Sequence, residues 1–217
     1  MRAWKRLRIP RPVKAVGGLV LLTGLTLGGY VGYLQLTGNF HTVVAGQFYR
    51  SAQPSSAQLE RYIRDHGIKT VINLRGNAGY AKWWAEEVAV SDRLGVKHVD
   101  FGMSASKILS NEKADQLVAI MRDAPKPILV HCLSGADRTG LASVLYSQQI
   151  ANIKEDVAER QLSFVFGHVG IPRLSAAYAM DQTWSNLEKH YGLDKGEGAP
   201  AVKDALVEND VVTDGAG

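Results

Sequence analysis

The chain has 217 residues, nearly half of them hydrophobic, which is enough for one domain of ordinary size with its own core. Its formal net charge of +4 comes from the first fourteen residues, where Arg2, Lys5, Arg6, Arg8, Arg11 and Lys14 stand without an acid. The rest carries 19 basic residues against 21 acidic ones, so no nucleic-acid partner is indicated, and the single cysteine excludes an intramolecular disulfide, a paired-cysteine redox motif and a cysteine-rich zinc site.

From Ala15 to Tyr49 no residue carries a formal charge. Residues 15–36 are mostly apolar, and a helix of that length spans a hydrocarbon core. Tyr30 and Tyr33 fall near its far end, where interfacial aromatics are favoured. A basic cluster before an apolar run predicts a cytoplasmic segment over 1–14, a transmembrane signal anchor over 15–36, and export of the remaining chain, to the periplasm if the source is bacterial. A cleaved signal peptide is the rival reading. The apolar stretch is long for one, and Val44-Ala45-Gly46, the best cleavage candidate, lies too far downstream.

Residues 40–191 read as one α/β domain, mainly a parallel central sheet flanked by helices, and 192–217 as a disordered tail rich in Gly, Ala and acids. Val43–Tyr49 is strand-like. Ser55 opens a helix to about His66 with Leu59, Tyr62 and Ile63 inward, and Gly67 ends it. Ile68–Leu74 comes next as a buried strand, then a helix from about Tyr80 to Leu94 and a short strand, Val96–Phe101. Ser110 caps a helix to about Asp123, and Pro127 introduces the strand Ile128–His131. Helices are expected from Arg138 to Ile150, Lys154 to Phe166 and Leu174 to His190. In the second of these predicted strand–helix units, Tyr80, Trp83 and Trp84 open the helix as core, or with one tryptophan free to touch lipid or substrate.

The chemistry concentrates between the strand ending at His131 and the helix opening at Arg138: His131-Cys132-Leu133-Ser134-Gly135-Ala136-Asp137-Arg138-Thr139-Gly140. A loop turning from a strand into a helix N-terminus aims several N–H groups into one hollow, where the helix dipole adds positive charge. Gly135 and Gly140 let the backbone approach a bound group. Arg138 offers a bidentate grip on two phosphate oxygens, which a lysine cannot supply. The same features stabilise a thiolate at Cys132, the nucleophilic form. The Thr139 hydroxyl is placed to hydrogen-bond the sulfur as it leaves.

This string resembles the His-Cys-five-residues-Arg-Ser/Thr signature of the protein tyrosine and dual-specificity phosphatases. Phe48-Tyr-Arg-Ser-Ala-Gln-Pro54 and Val71-Ile-Asn-Leu-Arg75 look like bacterial members, so the likeness covers most of 40–170. It implies a dual-specificity phosphatase-like fold over 40–191 and a phosphocysteine mechanism with no metal or other cofactor. Cys132 and Arg138 are the implied catalytic pair, with residues 133–139 binding phosphate and His131 ordering the loop. The dual-specificity branch places an acid about thirty residues upstream, and Asp100 at a predicted strand end is the candidate, with 101–106 in a mobile loop; Asp92 and Asp115 sit on predicted helices and fit less well. Arg50 and Arg75 either line the site or pair with acids, Arg75 with Glu86 or Glu87. Relatives specialised for inositol polyphosphates often carry loop lysines where this chain has Leu133 and Ala136, which points instead to a phosphoprotein or an envelope lipid or lipopolysaccharide phosphate. The alternative is an inactive module that binds phosphorylated ligands at the membrane. Arsenate reduction ordinarily needs further cysteines, and a rhodanese-like loop has no use for Arg-Thr-Gly at this spacing.

Overall fold

The computed structural model describes residues 11–193, with side chains from Val16 onward. The basic segment therefore lies mostly outside the described residues, as does the predicted tail from 194. Helix α1 (Arg11–Leu36) comes first, then β1 (His41–Val44), β2 (Phe48–Ser51), α2 (Ser56–His66), β3 (Thr70–Asn73), α3 (Lys82–Arg93) and β4 (Lys97–Asp100). The second half runs α4 (Asn111–Asp123), β5 (Ile128–His131), α5 (Asp137–Gln149), α6 (Glu155–Ala158), two 3₁₀ turns (Glu159–Gln161 and Phe164–Phe166) and α7 (Tyr178–His190).

The five strands form one sheet in the order β1-β2-β5-β3-β4. β1 and β2 pair antiparallel, and every other pairing is parallel. Because side chains alternate along a strand, β5 sends Ile128 and Val130 into a core with α4, α5 and α7, and Leu129 into a second core with α2 and α3. β3 divides Val71 and Ile72 in the same way. Both faces are covered, which is why β2, β3 and β5 are buried along their whole length. The mainly parallel sheet flanked by helices is the predicted architecture.

Local chemistry sets the helix ends. Ser55 Oγ accepts from the Gln58 N–H at 3.3 Å while Gln58 Oε1 accepts from the Ser55 N–H at 2.9 Å, a reciprocal cap on α2. Gly67 closes that helix at φ 63°, its N–H bonded to the Ile63 carbonyl.

Three predicted elements come out differently. The run 43–49 is not one strand: the chain reverses at 45–47, with Gly46 at φ 70°, and β1 folds back on β2. The helix expected from Lys154 to Phe166 stops after Ala158, because Leu162 is pressed against Gly140 and Gln161 is held by Arg50. The last helix begins at Tyr178, not Leu174, after a turn containing Pro172 and Arg173 at φ 64°.

Within α1, the stretch Val16–Leu36 has a mean hydropathy of 1.4, long and apolar enough to cross a membrane.

Candidate active site

β5 ends in the centre of the sheet and delivers His131, after which the chain turns through 132–136 into α5. Cys132 is buried at 2% exposure, while its neighbour Leu133 stands 59% exposed at the lip. The turn lies hard against the end of β2. Gly135 has φ 73°, and a Cβ there would come within 2.6 Å of the Ala52 nitrogen and 2.7 Å of the Ser51 carbonyl carbon, so only glycine fits. Arg138 lies in the first turn of α5, and its Nη1 donates to the carbonyls of Leu74 and Met103, each at 3.3 Å. Two polar atoms of this stretch, Arg138 Nε and the Thr139 hydroxyl, are buried without a hydrogen-bond partner among the described residues. Such groups are uncommon in folded proteins and suit a site that closes around a polar ligand.

Asp100 ends β4, in register beside Asn73 of β3, which is itself beside His131 of β5. Its backbone is thus two strand spacings from that of the cysteine strand, about 10 Å. Its carboxylate accepts from Trp84 Nε1 at 3.0 and 3.1 Å and from Asn73 Nδ2 at 2.8 Å. Asp115 is engaged at the other side of α4 by His190 and Tyr191.

The two arginines differ. Arg50 is fully buried beneath the loop instead of lining its mouth. Its Nη2 donates to the Gly135 carbonyl at 2.8 Å, its Nη1 to the Gln161 carbonyl at 2.5 Å and to Gln161 Oε1 at 2.9 Å, and its guanidinium lies 3.9 Å from the Phe166 ring centre. Burial lowers its pKa to about 9, with Cys132 acting the other way. Arg75 is the more open. It lies flat on Trp83 at 3.7 Å and donates to Gln53 Oε1 at 2.9 Å, while Glu87, one of the two carboxylates suggested as a partner, acts on it through charge. Burial lowers its pKa, and so does the charge of Arg138, which places two guanidinium groups at one site. Trp83 and Trp84 are half-buried, and it is Tyr80 that is exposed.

Two clusters invisible in the sequence bracket the loop. At its start, Glu87 Oε1 accepts from His131 Nε2 at 3.0 Å and His98 Nε2 at 2.8 Å, and Glu87 Oε2 accepts from Gln53 Nε2 at 2.6 Å. Burial would raise the pKa of this 2%-exposed carboxyl, but His131, His98 and Gln53 outweigh it and bring the value down to about 2. At the far end, His168 lies between Asp137 at 2.7 Å and Asp181 at 3.0 Å. Burial works to lower its pKa, and the two carboxylates prevail and raise it.

Three side chains from the N-terminal direction also reach the loop or the segment beside it. Gln35 and Asn39 both donate to the Ser134 carbonyl, at 3.2 and 3.0 Å, and Tyr30 donates to the Val165 carbonyl at 2.7 Å.

Residues 38–178 match the family described as "DSP-PTPase phosphatase fused to NAD+ Kinase". No curated protein sequence matches the chain. Among solved structures, the fold is similar to that of Tk-PTP in its active form, at 17% identity and TM-score 0.53, covering 70% of this chain and 97% of that one. It is also similar to a putative phosphatase from Shewanella putrefaciens CN-32, at 17% identity and TM-score 0.53 over 72% and 94% of the two chains. TpbA of P. aeruginosa aligns at 22% identity and TM-score 0.49, over 70% and 91%. A match across 38–178, on a chain whose sheet carries the Cys132–Arg138 loop at its centre, makes this protein a member of the dual-specificity and tyrosine phosphatase superfamily.

Proposed function

We propose that this chain is a cysteine phosphatase acting on phosphate monoesters of a protein or an envelope lipid, held to a membrane by α1 with its N-terminus cytoplasmic and its catalytic domain on the far side. The observation that carries the reading is the loop itself: a buried cysteine where a strand turns into a helix, with Arg138 in the first turn of that helix, and with Arg138 Nε and the Thr139 hydroxyl lacking a hydrogen-bond partner among the described residues.

In the first step Cys132 Sγ attacks phosphorus, the S–P bond forms and the bond to the leaving oxygen breaks. Arg138 and the N–H groups of 133–139 hold the equatorial oxygens, whose charge they are arranged to stabilise before reaction begins. Asp100 gives its proton to the leaving oxygen. In the second step a water attacks phosphorus, Asp100 takes back a proton, and the thiolate leaves, stabilised by the Thr139 hydroxyl. Asp100 is clasped by Trp84 and Asn73, so its service as acid requires that clasp to open when substrate enters. Arg75, near Arg138 and with Glu87 acting on it through charge, is suited to the remaining charge of the substrate, and Arg50 braces the loop from below. No step calls for a metal or an organic cofactor.

The test is phosphate release from an aryl phosphate and a phosphotyrosine peptide with chelator present. Cys132→Ser should lower turnover by at least about a thousandfold while ligand binding persists. Arg138→Lys should lose roughly a hundredfold or more. Full activity in Cys132→Ser would sink the mechanism. Asp100→Asn should slow alkyl phosphates by about a hundredfold and aryl phosphates much less; equal slowing would point to another acid.

A further inference from the structure

The apolar helix and the cysteine loop are not separate parts of this molecule. Besides the bonds from Gln35 and Asn39 to Ser134, Asn39 Nδ2 donates to the Phe166 carbonyl at 2.9 Å. One turn or so back, the Tyr30 ring stacks on Phe164 with centroids 5.6 Å apart, and Leu34, 2% exposed, faces Gly167. The last two turns of α1 are thereby fixed both to the loop after Cys132 and to the segment 164–167. Further back the helix is bare: Leu19, Leu22 and Leu25 are 63–66% exposed.

Length decides what covers it. The turns from Tyr30 to Leu36 pack on the domain, so the membrane takes the helix before them. At 1.5 Å per residue, Arg11–Tyr30 is about 30 Å long, close to the roughly 30 Å of a bilayer's hydrocarbon core, with Arg11 and Lys14 towards one boundary and Tyr30 at the other. Whatever touches Tyr30 is therefore brought down to the acyl boundary. Those residues are Phe164 and Val165, 41% and 58% exposed, an apolar pair of the kind that enters a membrane interface. The lip of the loop, Leu133, is apolar as well.

From this juxtaposition we infer that the catalytic loop lies at the bilayer surface, with Phe164 and Val165 seated in the interface, and that the substrate is a phosphate monoester carried on a membrane lipid. The inference rests on the phosphatase reading above. A lipid phosphate already sits at the height of the loop, so both partners diffuse in one plane and encounter is intramolecular in character. A phosphorylated side chain on a folded protein would have to reach a mouth crowded by headgroups.

The test uses the full chain reconstituted in phosphatidylcholine vesicles, offered phosphatidic acid within the vesicles, or glycerol 3-phosphate, p-nitrophenyl phosphate and a phosphotyrosine peptide in solution. Wild type should favour phosphatidic acid over the peptide and over the free headgroup. Val165→Asp should lower phosphatidic acid turnover at least tenfold and leave p-nitrophenyl phosphate unchanged. A peptide preferred to the lipid, the free headgroup used as well as the lipid, or lipid turnover undisturbed in Val165→Asp, would overturn the inference. No p-nitrophenyl phosphate turnover by wild type would instead overturn the phosphatase reading. Should Val165→Asp lose both activities, Val165→Trp decides. Added emission quenched by brominated lipid supports the seated segment, and unquenched emission refutes it.

Discussion

The cysteine loop is fastened at both ends by histidine and carboxylate, and the two fastenings are inverse. At His131 one carboxylate, Glu87, sits between two histidines; at Asp137 one histidine, His168, sits between two carboxylates. The first is nearly sealed, with Glu87 and both histidine side chains at 9% exposure or less, while Asp137 and Asp181 remain 24% and 34% exposed. The same residue types thus brace the loop in opposite pH directions. Glu87 titrates at about 2 when folded, below its ordinary 4.5, so the stability it contributes is present above 4.5 and lost as pH falls toward 2. His168 is raised above 6.5 when folded, so its contribution is complete below 6.5 and lost as pH climbs through the raised value.

Breaking the sealed cluster should have the largest effect. Glu87→Gln removes the buried charge that faces two histidines and sets an amide NH2 where Gln53 needs an acceptor, and we expect a loss of about 3 kcal/mol in urea denaturation at pH 7. The variant should also lose the acid-side decline between pH 4.5 and 2 that wild type shows. An unchanged decline would assign it to other carboxylates. His168→Gln should cost less, about 1–2 kcal/mol, because its partners are partly hydrated. Its signature is a flattened alkaline limb, read by the same denaturation series from pH 6 to 9; a limb as steep as wild type's would remove His168 from the account. Smallest of all is Glu60→Gln. Glu60 is held by Arg64 and Arg93 at 2.7 and 2.8 Å on the open surface, and solvent and salt screen that trio. Its denaturation midpoint should move within experimental error, and a clear shift would show that exposure is a poor guide to which network matters.

What could be read from the sequence was local, and what could not was tertiary. The Ser55 cap, the Gly67 stop, the apolar face of α2 and the strand–loop–helix around Cys132 depend on neighbours a few residues apart, and each left a pattern of spacing. Glu87 meets His131 across 44 residues and His168 meets Asp137 across 31, with no periodicity to mark either pair. Gln35 falls at the end of the predicted anchor and Asn39 just before the predicted domain, and nothing nearby in sequence announces Ser134 as their acceptor. The helix expected over 154–166 failed for the same reason. Its propensity was adequate, but Arg50 and Gly140 hold Gln161 and Leu162 in another shape. Arg50 itself was visible as a candidate, and its direction was not: only burial shows that it faces the underside of the loop. The hairpin at 45–47 had one overlooked signal, Gly46 in the middle of a supposed strand.

Among the described residues β5 is the last strand to be made, and it occupies the middle of the sheet, between β2 and β3, which do not pair with each other. As synthesis proceeds from the N-terminus, the nascent chain before Ile128 holds only two half-sheets, β1–β2 and β3–β4, each with an open edge awaiting the same partner. Closing them is a long-range event, slow compared with helix or hairpin formation, and it leaves those edges exposed meanwhile. The strand that completes the architecture is also the one that leads into the loop of Cys132 and Arg138. Closing the sheet and setting that loop in place therefore belong to one event, and a chain released before Ile128 would have neither.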